Sequence, residues 1–435
     1  MTLLRFAEVA ALGLGRLANP PADGLLARVH DDSRLARPGD LFVALNTGVS
    51  HVAEAEAQGA ATLVPVAQEA ALAALATLVR SRSGARVVAV VGSTGKTTTK
   101  DTLGGLCAAV TPTVWAERSR NNELGLPLTV LRLEPSTRVL VTEMGMRGRG
   151  QIAALCAIAR PDVVLVTAVG PEHLALIGTE DDAARANAEA IEALPAGGIA
   201  VVPLGAEALE PFLARPGLEV VRFDPAMIGR EADGRWHFSV PGRPGTPTAA
   251  VTLALPFDQR HLVGNVLAAL TVYRALDLPL TRAQEGAARI RLSPGRGELH
   301  PLPGGGLVVN DAYNANPVSM RAAIRDLTER ADGRRTVCIL GEMAELGPAS
   351  EQYHEEIAQA LREERIAVVI AVGEAARSYL DPEANTWWAP DAAAVEPLLA
   401  HLRPGDVILV KASRSVGLEG IPALVENLLG RWSAS

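Results

Sequence analysis

Val90-Val-Gly-Ser-Thr-Gly-Lys-Thr-Thr98 joins an apolar, β-branched run, Val87-Val-Ala-Val-Val91, to a segment of helical composition. A glycine-rich turn between a buried strand and a helix is the setting in which a Gly-Lys-Thr loop holds phosphate. Its glycines let backbone N–H groups curl around phosphate oxygens, and the helix N-terminus adds partial positive charge. On this reading Gly92, Ser93, Thr94, Gly95 and Thr98 form the cradle for ATP. Lys96 reaches the terminal phosphates, and the Thr97 hydroxyl helps hold Mg²⁺. The spacing is tighter than that of the common phosphate loop. Val90 stands where a glycine is usual, and Gly92 produces G-x-x-G-K-T-T. The competing reading is a strand-to-helix turn without ligand.

Outward from this loop, β-branched runs alternate with Ala/Leu/Glu-rich helical patterns, the rhythm of an α/β fold with parallel sheets. Strands are predicted at Val139–Thr142, Val163–Thr167 and Ile199–Val202, and again at Leu307–Asn310, Val337–Leu340, Val368–Val372 and Val407–Val410. A strand-and-turn region covers Arg235–Leu255, and a helix runs from Leu262 to Leu276. Met1 to Gly15 has the pattern of an amphipathic first helix, interrupted by Arg5 and Glu8, and does not resemble a signal peptide. Polar or loop-like stretches at Arg80–Arg86 and Ser293–Arg296 suggest three domains, residues 1–83, 84–293 and 294–435. The central one is a phosphate-loop domain and the last a doubly wound, Rossmann-like unit.

The 435 residues carry 41 basic and 49 acidic side chains, a net charge of −8, which announces no nucleic-acid surface. The Ala/Leu run Ala70–Val79 is half the roughly 20 residues that cross a bilayer, so no membrane insertion is expected. Cys107, Cys156 and Cys338 have no metal or disulfide spacing, consistent with a cytoplasmic protein. Lysine is scarce: Lys96, Lys100 and Lys411 are the only three, and arginine supplies the remaining positive charge. Lys96 fits the need for a compact, movable point charge. Lys100, one turn further along, reads as a solvated helix charge.

The shortened loop with its doubled threonine resembles the Mur ligase family, and the resemblance extends from about residue 30 to 425. Asn121-Asn-Glu-Leu-Gly-Leu-Pro127 is similar to the family's Asn-rich segment, which implies that Asn121 and Asn122 line the substrate side of the phosphates. By themselves they are ordinary turn residues. Glu143-Met-Gly-Met-Arg-Gly-Arg-Gly150 resembles the metal-binding strand end, and His173 in Gly170-Pro-Glu-His173 the second metal ligand. A carboxylate at a strand's C-terminal end suits Mg²⁺. His173 alone is equally a loop histidine. Asn265 matches the position that contacts adenine; on its own it is an exposed helical amide. Arg296 and Asp311 match residues that reach across from the third domain to the nucleotide. With Lys96, Glu143 and His173 they make up the implied catalytic set.

Asn310-Asp-Ala-Tyr-Asn-Ala-Asn-Pro317 and Leu340-Gly-Glu-Met-Ala-Glu-Leu-Gly347 resemble the branch of the family that adds D-alanyl-D-alanine to UDP-N-acetylmuramoyl-tripeptide. This implies substrate contacts from Tyr313, Asn314 and Asn316. Val410-Lys-Ala-Ser-Arg414 resembles a closing Lys-Gly-Ser-Arg, with Ala412 in place of glycine. Asp32-Ser-Arg34 and Pro38-Gly-Asp-Leu-Phe-Val-Ala44 resemble a segment that binds the uridine nucleotide sugar, implying contacts from Ser33 and Arg34. The implied enzyme is a monomeric, ADP-forming carboxylate–amine ligase of peptidoglycan synthesis, using ATP and Mg²⁺. Two positions depart from the family. Asn187 stands where a carbamylated lysine is usual, and Leu262 where an asparagine follows the histidine of the adenine segment. Other readings are a family member adding a different amino acid, a folylpolyglutamate synthase, a nucleotide-binding partner without ligase activity, and a phosphate-loop regulatory module or motor.

Overall fold

A computed structural model describes residues 3–21 and 24–432. The start of the predicted first helix lies outside them; within them that helix is short, Phe6–Ala11. Four sheets follow in chain order. β1 (Gly15–Ala18), β2 (Val29–His30), β3 (Leu41–Val43) and β4 (Ala61–Pro65) form the first, in the order β1-β4-β3-β2, with only β1 antiparallel.

The central sheet comprises β5 (Arg86–Val91), β6 (Thr113–Trp115), β7 (Val139–Glu143), β8 (Val163–Val166), β9 (Ile199–Pro203) and β10 (Glu219–Phe223). It is wholly parallel, in the order β10-β9-β8-β5-β7-β6. Helices cover both faces, which is why Val87–Val91 can be continuously apolar rather than alternating. A small antiparallel sheet, β11 (Ile228–Arg230), β12 (Trp236–Val240) and β13 (Ala249–Leu253), accounts for the proline-rich region. β14 (Glu298–Pro301), β15 (Leu307–Asn310), β16 (Thr336–Gly341), β17 (Val368–Val372), β18 (Thr386–Ala389) and β19 (Val407–Lys411) make the last sheet. Its order is β14-β15-β19-β16-β17-β18, parallel apart from the edge strand β14.

The apolar cores are not distributed evenly among these sheets. Leu72, Leu75 and Val79, on the helix Gln68–Arg82, belong to one cluster with Leu41 and Leu63 of the first sheet. The same cluster contains Leu126, Ile152, Leu155 and Val166 of the central unit, so the first two units share a core. On the other face of the central sheet, Val263, Val266 and Tyr273 of the helix Arg260–Ala275 pack with Leu103 and Leu106 of the helix Lys96–Ala108. Residues beyond 300 form separate clusters around the last sheet. The described helices include none long and apolar enough to cross a membrane.

Candidate active site

β5 and β7 pair with Val90 opposite Glu143, while β8 lies on the other side of β5. The loops after these three strands therefore meet at one sheet edge, the C-terminal edge where open parallel sheets bind ligands. The phosphate loop is built there as its sequence demands. Gly92 has φ 121°, and an added Cβ would fall 2.5 Å from Thr167 Oγ1 and 2.8 Å from the Ala168 carbonyl. Gly95, at φ 81°, opens the helix Lys96–Ala108. Ser93 N–H donates to Ala168 O at 3.0 Å, and Ser93 Oγ donates to Gly170 O and accepts from Gly170 N–H. Gly92 N–H donates to Asn187 Oδ1 at 2.7 Å. Asn187 is thus a buried support beneath the loop.

Lys96 curls back over the loop, its Nζ donating to the Gly92 carbonyl and pairing with Glu172 Oε2 at 3.1 Å. Thr97 Oγ1 accepts from Arg296 Nη2 at 2.9 Å. Lys100 corrects the sequence reading, because it is fully buried rather than solvated. Its ammonium donates to the Ala116 carbonyl at 2.6 Å and the Arg118 carbonyl at 2.8 Å, and Asp101 Oδ1 lies 2.8 Å away. Three oxygens replace its water shell, the condition under which a buried ammonium stays compatible with folding. Asp101 in turn accepts from Ser293 N–H and Oγ at 2.9 and 2.8 Å. One turn of the phosphate-loop helix therefore holds both the strand leading to Asn121 and the linker into the last unit.

Glu143 is 1% exposed; Oε1 accepts from Asn121 Nδ2 at 2.8 Å, and Oε2 has no protein partner. Asn122 spends its Oδ1 on Gly125 N–H, the turn role expected of it by residue type. His173 adopts φ 50° and directs Nδ1 at the Glu345 carboxylate of the last unit. Glu143, His173 and Thr97 line one cavity of about 770 Å³. A buried carboxylate oxygen without a partner, lining the same cavity as a hydroxyl and an imidazole, fits Mg²⁺, which takes few protein ligands and completes its shell with phosphate and water. Among the described residues no group of three or more His, Cys, Asp and Glu side chains suffices to hold a metal.

The last unit closes this cavity. Arg296 lies over the Tyr313 ring at 4.1 Å and Arg414 at 5.2 Å, while the Tyr313 hydroxyl meets Ser119. Asp311 Oδ2 accepts from Lys411 Nζ at 2.6 Å, and Lys411 also donates to the Asn314 carbonyl. Asn316 caps the helix Pro317–Ala331 through Ser319 N–H, and its Nδ2 donates to Ser93 O at 3.2 Å. Asn265 stands against Gly95, over the phosphate loop itself, and Leu262 is buried on the cavity wall.

Ser33 and Arg34 are not brought to this cavity. Ser33 Oγ donates to Glu54 and Arg34 forks onto Asp32. The first unit instead reaches toward the site through Asp31, 3.1 Å from Arg120. Sequence reasoning gave no site role to Glu172, Lys411, Glu345 or His261, all on the cavity wall, although the last three lie in segments it singled out. Burial pushes the His261 pKa down, and its Nδ1 has no protein partner. The rarity of lysine marked out Lys411; Glu172, next to His173, carried no signal of its own.

Residues 90–273 match the family described as "Mur ligase middle domain", and residues 295–414 match "Mur ligase, glutamate ligase domain". The chain is 32% identical to the UDP-N-acetylmuramoyl-tripeptide--D-alanyl-D-alanine ligase of Escherichia coli (strain K12), over 93% of this chain and 95% of that protein. Among solved structures it is similar to MurF from Acinetobacter baumannii, with a TM-score of 0.81 and 27% identity, covering 97% of this chain and 98% of that one. It is also similar to MurF ligase from Thermotoga maritima in complex with ADP, with a TM-score of 0.77 and 26% identity, covering 93% and 98% respectively.

Proposed function

The chain belongs to the Mur ligase family, and from that premise we infer that it adds D-alanyl-D-alanine to UDP-N-acetylmuramoyl-tripeptide with conversion of ATP to ADP. The observation that carries this reading is the composition of the cavity. Phosphate-loop residues Lys96 and Thr97 face Arg296, Asp311 and Asn316, which come from another unit of the fold. A site that only hydrolysed ATP would not need its phosphate end opened onto a second substrate platform.

The tripeptide's terminal carboxylate attacks the γ-phosphorus, and ADP departs with the electrons of the broken P–O bond. The dipeptide amine then attacks the carbonyl carbon of the acyl phosphate. The tetrahedral adduct sheds inorganic phosphate, and the former amine loses a proton. Lys96 and the loop amides neutralise charge on the transferring group, and Arg296 reaches it from across the cavity. Thr97, Glu143 and His173 are the residues that would hold Mg²⁺, which when bound supplies positive charge to the β- and γ-phosphate oxygens. Holding carboxylate, phosphate and amine together provides much of the remaining rate, since little covalent help is required of the protein.

We assign residues 1–83 to the uridine nucleotide sugar, 84–293 to ATP and 294–435 to the incoming dipeptide. We take the chain to work as a monomer. The reaction belongs in the cytoplasm, where ATP is supplied, and the three cysteines are buried free thiols. The test is a trap. ATP, tripeptide substrate and hydroxylamine without dipeptide should yield a hydroxamate, and dipeptide alone should not drive ATP turnover. Absence of hydroxamate while the complete reaction proceeds would overturn the acyl-phosphate route.

A further inference from the structure

Glu172 is a carboxylate only 6% exposed on the wall of the nucleotide cavity. Its oxygens are committed to different partners: Oε1 accepts from Asn187 Nδ2 at 2.8 Å, and Oε2 pairs with Lys96 Nζ at 3.1 Å. Asn187 is itself immobilised, because its Oδ1 takes Gly92 N–H and its Nδ2 also donates to the Ala183 carbonyl. The amide therefore aims Glu172 at the phosphate loop from below. The carboxylate cannot turn toward solvent without stranding Asn187.

Lys96 cannot satisfy two anions equally. When nucleotide phosphates enter the loop, they compete for the ammonium that Glu172 now holds. A buried carboxylate deprived of its counter-charge is strongly disfavoured. Glu143, on the strand at the other side of β5, meanwhile presents the unpartnered Oε2 to the same cavity. Two buried carboxylates thus bracket the phosphate loop, one with an oxygen that has no partner and one whose counter-charge the nucleotide draws away.

We propose that Glu172 is a nucleotide-gated ligand for a divalent cation of the hard, oxygen-preferring class. Arrival of the phosphates moves Lys96 from Glu172 onto phosphate, and the freed Oε2 takes up the cation, directly or through a bound water. Asn187 is the positioning residue that keeps this oxygen in place. Because the described protein groups do not by themselves gather enough ligands, phosphate oxygens complete the shell. Nucleotide and cation then strengthen each other's binding reciprocally, while metal-free nucleotide is opposed by the Lys96–Glu172 pair.

The proposal rests on the ATP reading, and the experiment separates the two. The full-length protein is titrated with a fluorescent, non-hydrolysable ATP analogue in EDTA and in Mg²⁺, with Mn²⁺ binding followed by electron paramagnetic resonance. Glu172→Gln should bind the metal-free analogue several-fold more tightly than wild type, because Lys96 is no longer held back. Its gain on adding Mg²⁺ should shrink about tenfold, the scale of ordinary coupling between two ligands. Nucleotide-dependent Mn²⁺ binding should weaken in parallel. Glu172→Asp, which keeps the charge, should retain part of the Mg²⁺ gain, and it serves in its own right should the glutamine variant fail to fold. Wild-type affinities for Glu172→Gln in both buffers, or an aspartate variant with no Mg²⁺ gain, would overturn the assignment. Failure of the wild type to bind the analogue in either buffer would instead overturn the ATP reading.

Discussion

The two joints of the molecule are made of different material. Between the first and central units, Leu72, Leu75 and Val79 run into the same apolar cluster as Leu126, Ile152 and Leu155. Between the central and last units no apolar cluster of the described residues is shared, and many of the contacts are polar. Arg296 meets Thr97, Asn316 meets Ser93, Arg330 pairs with Asp258 at 2.8 Å, and Tyr353 donates to Glu180 at 2.6 Å. Separating an apolar joint exposes surface at about 25 cal/mol per Å² with nothing to offset it. Separating a polar joint exchanges protein hydrogen bonds for water, with a net cost of about 1 kcal/mol each. The first joint makes a chassis of two units. The second is held by contacts of modest net cost, the kind of joint at which substrate-driven closure takes place.

Lys96 belongs to neither joint, and its replacement should therefore hurt most while disturbing both least. Lys96→Ala is expected to lose about a hundredfold in turnover, roughly 3 kcal/mol of transition-state stabilisation, and to melt below wild type because buried Glu172 loses its counter-charge. Activity within threefold of wild type would remove the phosphate-loop assignment and, with it, the reason to compare the joints. At the apolar joint, Leu75→Ala should cost about 2–3 kcal/mol of stability in urea unfolding, with little change in the KM for ATP. A loss below about 1 kcal/mol would mean that the core is not shared across the joint.

At the polar joint the split should reverse. Asp311→Ala should lower kcat about tenfold, near 1.4 kcal/mol, yet leave calorimetric nucleotide affinity almost unchanged. Equal losses in both would place Asp311 in a preformed pocket rather than in one completed by closure.

The smallest effect concerns acid. His354 accepts from Met343 N–H through Nε2 at 3.0 Å, and burial lowers its pKa. Its folded state refuses a proton that the unfolded chain accepts. Stability from this source is therefore full above the ordinary histidine value near 6.5 and falls as pH drops below it. The segment it supports carries Glu345, so the last unit should loosen first, seen as faster hydrogen exchange at Met343. Exchange independent of pH between 7 and 5, after correction for intrinsic rates, would refute this.

What the sequence disclosed was mostly local. The strand Val87–Val91, its glycine turn and the following helix were legible because each is specified by neighbours within a few residues. Short edge strands such as Thr113–Trp115 and Thr386–Ala389 were not, since half-exposed segments of this length carry little periodicity. Partners distant in the chain were hidden too. A buried and a solvated lysine look alike on a helix, and Lys100 is decided by carbonyls 16 and 18 residues away. Asp311 and Lys411 meet across 100 residues. The departure at Asn187 was visible, but its bond to Gly92, 95 residues away, and its hold on Glu172 were not.

The three lysines have a consequence for chemoselectivity. An acyl phosphate acylates any free amine, and a ligase that makes one is exposed to its own reagent. Here each ε-nitrogen is committed as a donor: Lys96 to Gly92 and Glu172, Lys100 to two carbonyls beside Asp101, and Lys411 to Asp311 and the Asn314 carbonyl. An ammonium nitrogen has no lone pair to attack with, and the arginine side chains are guanidinium groups, which are poor nucleophiles. The lysines are thereby withheld from acylation, and the dipeptide's amine is left as the amine that competes for the acyl phosphate.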